Sequence, residues 1–166
     1  MRFIFVLVSV FFSLASCTNI NFLLDENAGF DFLKKNTALY LSGWDDPVLK
    51  EVFFIKLGEA SNNRFLLTAQ AAQKQTKRSV DENQVAKKID YKIIINYTLN
   101  DTKKKCTDIL NEQTSSFSFT PKSSGYNFAS DVLFENQLKE AVMENVDNFI
   151  NFANSALQSQ NCIDEN

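Results

Sequence analysis

Ile89, Tyr91, Ile93, Ile95, Tyr97 and Leu99 stand at every second position, and between them lie Asp90, Lys92, Ile94, Asn96 and Thr98. A period of two, with one apolar set and one mostly polar set, describes a strand with a single buried face. A one-faced sheet needs a cover, and the chain offers one downstream. Phe134, Leu138, Ala141, Val142, Val146, Phe149, Ile150, Ala153 and Leu157 recur every three or four residues. That is the apolar stripe of an amphipathic helix.

The other elements are read around this pair. Ala38–Ser42 predicts a short strand, and Ser42-Gly43-Trp44-Asp45-Asp46-Pro47 a turn with Gly and Asp-Pro as breakers. Val48–Leu57 is β-branched and aromatic, which predicts a strand ended by Gly58. Ser61, Asn62 and Asn63 offer helix caps, and Phe65–Lys77 is rich in good helix formers. A helix is expected there, with Lys74, Lys77 and Arg78 at the negative end of its dipole. Ser79–Ala86 reads as a loop and Lys87–Asn100 as the strand above. Asn100–Lys103 reads as a hairpin turn, with Lys105–Leu110 and Thr114–Thr120 as two further strands. A helix over Tyr126–Gln158 would be about 50 Å long at 1.5 Å per residue. A compact domain of this size has a radius of gyration of only roughly 15 Å. Such a helix is therefore either broken or projects past the sheet. The expected fold is α+β, a two-layer sandwich in which a mainly antiparallel four-stranded sheet is covered by two helices.

The start of the chain concerns compartment rather than fold. Arg2 is followed by an apolar run, Phe3–Phe12, broken only by Ser9, and then by Leu14-Ala15-Ser16-Cys17. The run is long enough for a signal peptide and too short to span a bilayer. The tetrapeptide looks like the lipobox of bacterial lipoproteins, in which the cysteine thiol takes a lipid and the leader is cut just before it. Small Ala15 and Ser16 admit a peptidase, and Cys17 supplies the nucleophilic sulfur. An ordinary secretory leader with a chance cysteine is the alternative. On the lipobox reading the organisation is a signal peptide over 1–16 and a lipidated tether over 17–36. The α+β domain covers 37–158 and a polar tail 159–166. One acyl chain holds a protein weakly, with a binding constant of roughly 10⁴ M⁻¹. The two or three chains that bacterial lipoproteins carry, palmitate-like in length, make a lasting anchor. Thr18 in place of Asp favours the outer membrane in a Gram-negative cell.

Composition narrows the chemistry. The chain has no His, which removes Ser-His-Asp and Cys-His catalysis and the commonest zinc ligand. The formal net charge of -3 gives no sign of nucleic-acid binding. The acidic pairs Asp45/Asp46 and Asp81/Glu82 lack calcium-loop spacing and read as solvated turn acids. No Gly-rich phosphate loop and no nucleophile elbow is present. A binding or structural protein is expected, not an enzyme, with no cofactor and no metal. Lys103-Lys104-Lys105 is the densest basic run, and Lys74, Lys77 and Arg78 with Lys87 and Lys88 form a second. Either would meet lipid phosphates; the alternative is a solvated turn for the first and helix-dipole complementarity for the second. Trp44 reads as an interface anchor or as a ring folded over the sheet edge. Cys106 and Cys162 would pair in an oxidising periplasm or remain two thiols.

A resemblance covers roughly Lys87–Leu157. Ile93-Ile94-Ile95-Asn96-Tyr97-Thr98-Leu99-Asn100-Asp101 is followed by Ser115–Phe119, and then by Ser124-Gly125-Tyr126-Asn127-Phe128-Ala129 opening a helix. In this order, with the lipobox, it resembles the lipopolysaccharide-assembly lipoprotein family LptE, in its alphaproteobacterial branch. That family tends to have Gly-Phe and a Pro soon after the lipidated cysteine. Here Thr18-Asn19-Ile20-Asn21 follows, and Gly29-Phe30 comes later. The resemblance implies a non-catalytic lipoprotein on the periplasmic side of the outer membrane. It would plug a large LptD-like β-barrel protein, assist its assembly and contact lipopolysaccharide through basic groups. The rival readings are a lipid-binding auxiliary lipoprotein of an ABC-type envelope transport system, and an orphan surface lipoprotein.

Overall fold

The computed structural model describes residues 30–80, 86–103, 108–121 and 128–160. The leader, Cys17, Thr18, Asp81/Glu82, Lys104, Lys105, Cys106 and Cys162 lie outside the described residues.

A single helical turn, α1 (Phe30–Leu33), leads into strand β1 (Thr37–Gly43) and helix α2 (Pro47–Leu57). Three strands follow, β2 (Phe65–Val80), β3 (Ala86–Asp101) and β4 (Ile109–Phe119), and then helix α3 (Phe128–Ser159). The sheet order is β1-β2-β3-β4. β2, β3 and β4 form an antiparallel meander, and β1 joins β2 in parallel through the α2 crossover. The fold class is the expected α+β sandwich, but two of its elements are exchanged. Val48–Leu57, expected as a strand, is helix α2, and Phe65–Lys77, expected as a helix, is the first part of β2.

Each exchange has a physical cause. Asp46 caps α2: its Oδ1 accepts from the Val48 amide at 2.9 Å. Pro47 fills the first turn, where its missing N–H costs nothing. Gly58 ends the helix at φ 70, donating to the Phe54 carbonyl. These end signals outweigh the β-branched and aromatic interior. In β2 the reverse holds. Phe65, Leu67, Ala69 and Ala71 are buried at every second position, paired with β1 on one side and β3 on the other. Tertiary pairing overrides the helix propensity of the Ala, Gln and Lys residues. Ile109 and Leu110, the end of the strand expected at Lys105–Leu110, run on into the strand expected at Thr114–Thr120 as one continuous strand, β4.

The long helix is unbroken. Its 32 residues make about 48 Å, and the 16 residues of β2 and of β3 make about 53 Å each at 3.3 Å per residue. Helix and sheet are thus matched in length, which is how such a helix fits. The core lies between one sheet face and the two helices. Leu49, Val52, Phe53 and Leu57 of α2 meet Leu138, Val142, Val146, Phe149, Ile150 and Leu157 of α3 over the inward residues of β2 and β3. Leu33 is also in the core, so the folded unit begins ahead of Thr37. At its centre Tyr97 stacks on Phe149 at 4.0 Å and donates a 2.8 Å hydrogen bond to Oδ1 of the buried Asn145. Burial holds the Tyr97 phenol protonated well above the ordinary tyrosine range. Among the described residues the one tight glycine is Gly43. It stands at φ 88, and a Cβ there would lie 2.2 Å from the Ala71 carbonyl oxygen. Trp44 follows it, half-buried against the core, its amide donating to the same carbonyl at 2.8 Å. This is the sheet-edge role rather than a free anchor.

Candidate partner-binding face and clefts

Strand alternation gives the sheet a second face, which no described element covers. Its rows follow from register. Thr68, Thr98 and Leu110 lie side by side, then Gln70, Asn96 and Glu112, then Ala72, Ile94 and Thr114. Lys74, Lys92 and Ser116 follow, then Thr76, Asp90 and Ser118. The face is rich in hydroxyl and amide groups, exposed along most of its length. It deepens over Thr76, Arg78, Asp90, Lys92, Thr114, Ser116 and Ser118 into an open depression of about 620 Å³.

Two features shape its charge. Lys74 and Lys92 are directly opposite across the β2–β3 pair, an arrangement that is unfavourable between like charges. Asp90 is ringed by donors. The Ser118 hydroxyl donates to it at 2.6 Å, and the Arg78 guanidinium pairs with it. The Ser118 hydrogen bond first, then Arg78, holds its carboxyl below the usual carboxylate range. Arg78 reaches Asp90 from a break in the β2–β3 register, where a bulge re-aims a side chain.

The sequence-predicted basic cluster is therefore split. Lys74 and Arg78 point to the uncovered face. Lys77 lies on the opposite side of the strand, paired with Ile89. None of the three sits at a helix end, so dipole complementarity is not their role. Lys103 is used locally: its amide donates to Asp101 Oδ1 at 2.9 Å and its Nζ to Asn62 Oδ1 at 3.2 Å. Thr102 pins the same connection through its hydroxyl to the Asn63 and Arg64 carbonyls. Lys92 was legible only through the register of the sheet.

A second cleft, of about 410 Å³, opens between the starts of α2 and α3 and the far end of the sheet. Its walls are Tyr91, Phe119, Phe134, Leu138 and Val48, with Asp46, Asp131 and Glu135 at the rim. Phe134 is the hub, 5.0 Å from Tyr91, 5.6 Å from Phe117 and 5.2 Å from Phe119. Among the described residues no group of three or more His, Cys, Asp or Glu is placed to hold a metal ion. Among the same residues no helix is long and apolar enough to cross a membrane.

No protein-family model matches the chain, and no curated protein does. Solved structures do. A protein of Caulobacter crescentus CB15 described as a lipoprotein superposes with a TM-score of 0.59 at 14% identity, over 80% of this chain and 97% of that one. The rare lipoprotein B of Shewanella oneidensis gives a TM-score of 0.43 at 15% identity, over 75% and 97%. A minor lipoprotein of Acinetobacter baumannii gives 0.44 at 11%, over 74% and 94%. The first of these shows a shared fold.

Proposed function

We propose that this chain is an outer-membrane lipoprotein, acylated at Cys17, that acts as plug and assembly partner of a large β-barrel protein in lipopolysaccharide transport. It performs no catalytic step. The uncovered sheet face carries the reading. A face lined by Thr, Ser, Asn and Gln suits a polar protein wall, and the interior of a large outer-membrane barrel is such a wall. The paired Lys74 and Lys92 beside it are a natural seat for the phosphates of an anionic glycolipid, because an anion between them relieves their repulsion. The lipobox and the fold shared with a protein described as a lipoprotein support the anchor. Thr18 supports the outer membrane, with the domain on the periplasmic side.

The test is a mild-detergent pull-down of the tagged full-length protein from its native membrane, with mass spectrometry of everything retained. A stoichiometric β-barrel protein is expected. Its yield should fall with Thr98→Arg/Asn96→Arg, which places bulk and charge on the uncovered face. Recovery of an inner-membrane transporter, or of the lipoprotein alone, would sink the plug reading.

One observation favours a second reading. The aromatic cleft around Phe134 is roomy enough for part of an acyl chain, as in a lipid-binding auxiliary lipoprotein. Its rim carries three carboxylates, which repel an anionic headgroup. Phospholipid bound to the purified protein, lost on Phe134→Ala, would promote this reading over the first.

A further inference from the structure

The face of α2 turned away from the core carries two large apolar side chains. Phe54 is 64% exposed and Ile55 45%. The helix buries Leu49, Val52, Phe53 and Leu57 instead, and neither residue is part of the core. Residues four apart on a helix share a face, and four residues after Phe54 comes Gly58. Two exposed lysines stand beside that glycine. A Cβ built on Gly58 would lie 3.7 Å from Lys35 Cγ and 4.0 Å from Lys34 Cγ.

The turn bearing these lysines is firmly held. Lys35 sits at φ 60. Its amide donates to the Leu57 carbonyl at 2.7 Å, and its own carbonyl accepts the amides of Ser61 and Asn62 at 2.8 and 3.1 Å. Of the acids nearby, Glu51 is engaged with Lys139 of α3 at 2.6 Å, while Asp31 and Glu59 flank the patch in sequence. The patch is apolar at its centre and basic at one end.

We propose that Phe54, Ile55, Lys34 and Lys35 form a contact between the folded domain and an anionic phospholipid surface. The two apolar side chains enter the boundary between headgroups and acyl chains, and the two lysines meet lipid phosphates. The exposed area of Phe54 and Ile55 is roughly 200 Å² at most, far below the roughly 800 Å² per partner of a stable protein interface. A bilayer needs no matching partner surface. The described chain begins at Phe30, four residues before Lys34, and Cys17 precedes it by a stretch that spans at most about 45 Å. An anchor at Cys17 would keep this end of the domain near the membrane, although the contact itself needs no acylation and does not rest on the plug reading.

The test uses the chain from residue 17 onward with Cys17→Ser, which holds every described element and carries no lipid. It is floated with vesicles of phosphatidylcholine, or of phosphatidylcholine with about a third phosphatidylglycerol. Binding is expected to the second and to be weaker to the first. Each lysine near an anionic surface contributes about fivefold to partitioning, so Lys34→Glu/Lys35→Glu should lower it at least 25-fold. Phe54→Ser/Ile55→Ser should lower it at least tenfold. These side chains lie outside the core, so thermal melts should match the parent and show that the fold is intact. Gln75→Glu, exposed at the opposite end of the sheet, should change binding less than twofold. Absence of binding by the parent chain would overturn the proposal. So would equal binding to both vesicles, α2-face variants that bind like the parent, or a loss with Gln75→Glu equal to that with Lys34→Gln.

Discussion

Replacing Tyr97 by Phe tests the account of the core at its most polar point. Tyr97 is 1% exposed and Asn145 0%. The Tyr97 hydroxyl gives Asn145 Oδ1 its 2.8 Å hydrogen bond, while Asn145 Nδ2 has no partner among the described residues. Tyr97→Phe keeps the ring against Phe149 and Phe53 but strands the buried Oδ1. The cost should be about 1–3 kcal/mol, the desolvation of an unpaired buried acceptor. Tyr97→Phe/Asn145→Leu removes both partners and also the orphan Nδ2. It should recover most of that loss and melt close to the parent, because deleting both partners leaves no polar atom unpaired. The assay is a double-mutant cycle in urea, with Asn145→Leu as the fourth corner and a coupling of about 0.5–3 kcal/mol expected. If the double variant were as unstable as the sum of the two singles, the hydrogen bond would have no energetic role. The same group sets an alkaline limit. The folded phenol titrates above its unfolded value near 10, so its stabilising effect is fully present below pH 10 and is lost as pH rises beyond it. The slope approaches about 1.4 kcal/mol per pH unit for one proton.

Other outcomes follow from single contacts. Gly43→Ala sets a Cβ against the Ala71 carbonyl at positive φ and should cost more than about 1 kcal/mol, read as a lower Tm with β1 the first region to lose hydrogen-exchange protection. Asp46→Ala removes the α2 cap and should cost about 1 kcal/mol in a urea titration. Lys92→Glu turns the facing lysines into an opposite-charge pair, and stability at low salt should rise by about 0.2–1 kcal/mol, an increment that added salt diminishes.

How much of this was legible in the sequence differs by element. β3 and α3 declare themselves, because β3 buries one face from Tyr91 to Leu99 and α3 one from Leu138 to Leu157, so each keeps a clean period. α2 does not, since Phe54 and Ile55 add apolar residues to its outer side and blur the helical stripe. Its end signals were nonetheless present, in Asp46-Pro47 at one end and Gly58 at the other. β2 hides for the opposite reason. Only the inner face of Phe65 to Ala71 is covered by helices, and from Gln73 onward that face loses its cover too, so the residues there carry no alternation. The uncovered face was legible in part. Lys74 and Arg78 stand out in the sequence, but their meeting with Lys92 and Asp90 depends on pairing register, which single-strand patterns do not encode. Lys34 and Lys35 were hidden likewise, since only the turn at Lys35 brings them to the end of α2.

The parallel β1–β2 pair sets the order in which this chain can assemble. β2, β3 and β4 are sequence neighbours, and their pairings close short loops, which are the fast events in folding. β1 must instead wait for α2, because its register, Thr37 opposite Phe65, is separated by the whole crossover. Until that closure, Phe65, Leu67 and Ala69 belong to an open edge of the meander. A chain with a weakened α2 should therefore dwell longer as a three-stranded intermediate. In that state the edge of β2 is free to recruit a strand from another molecule.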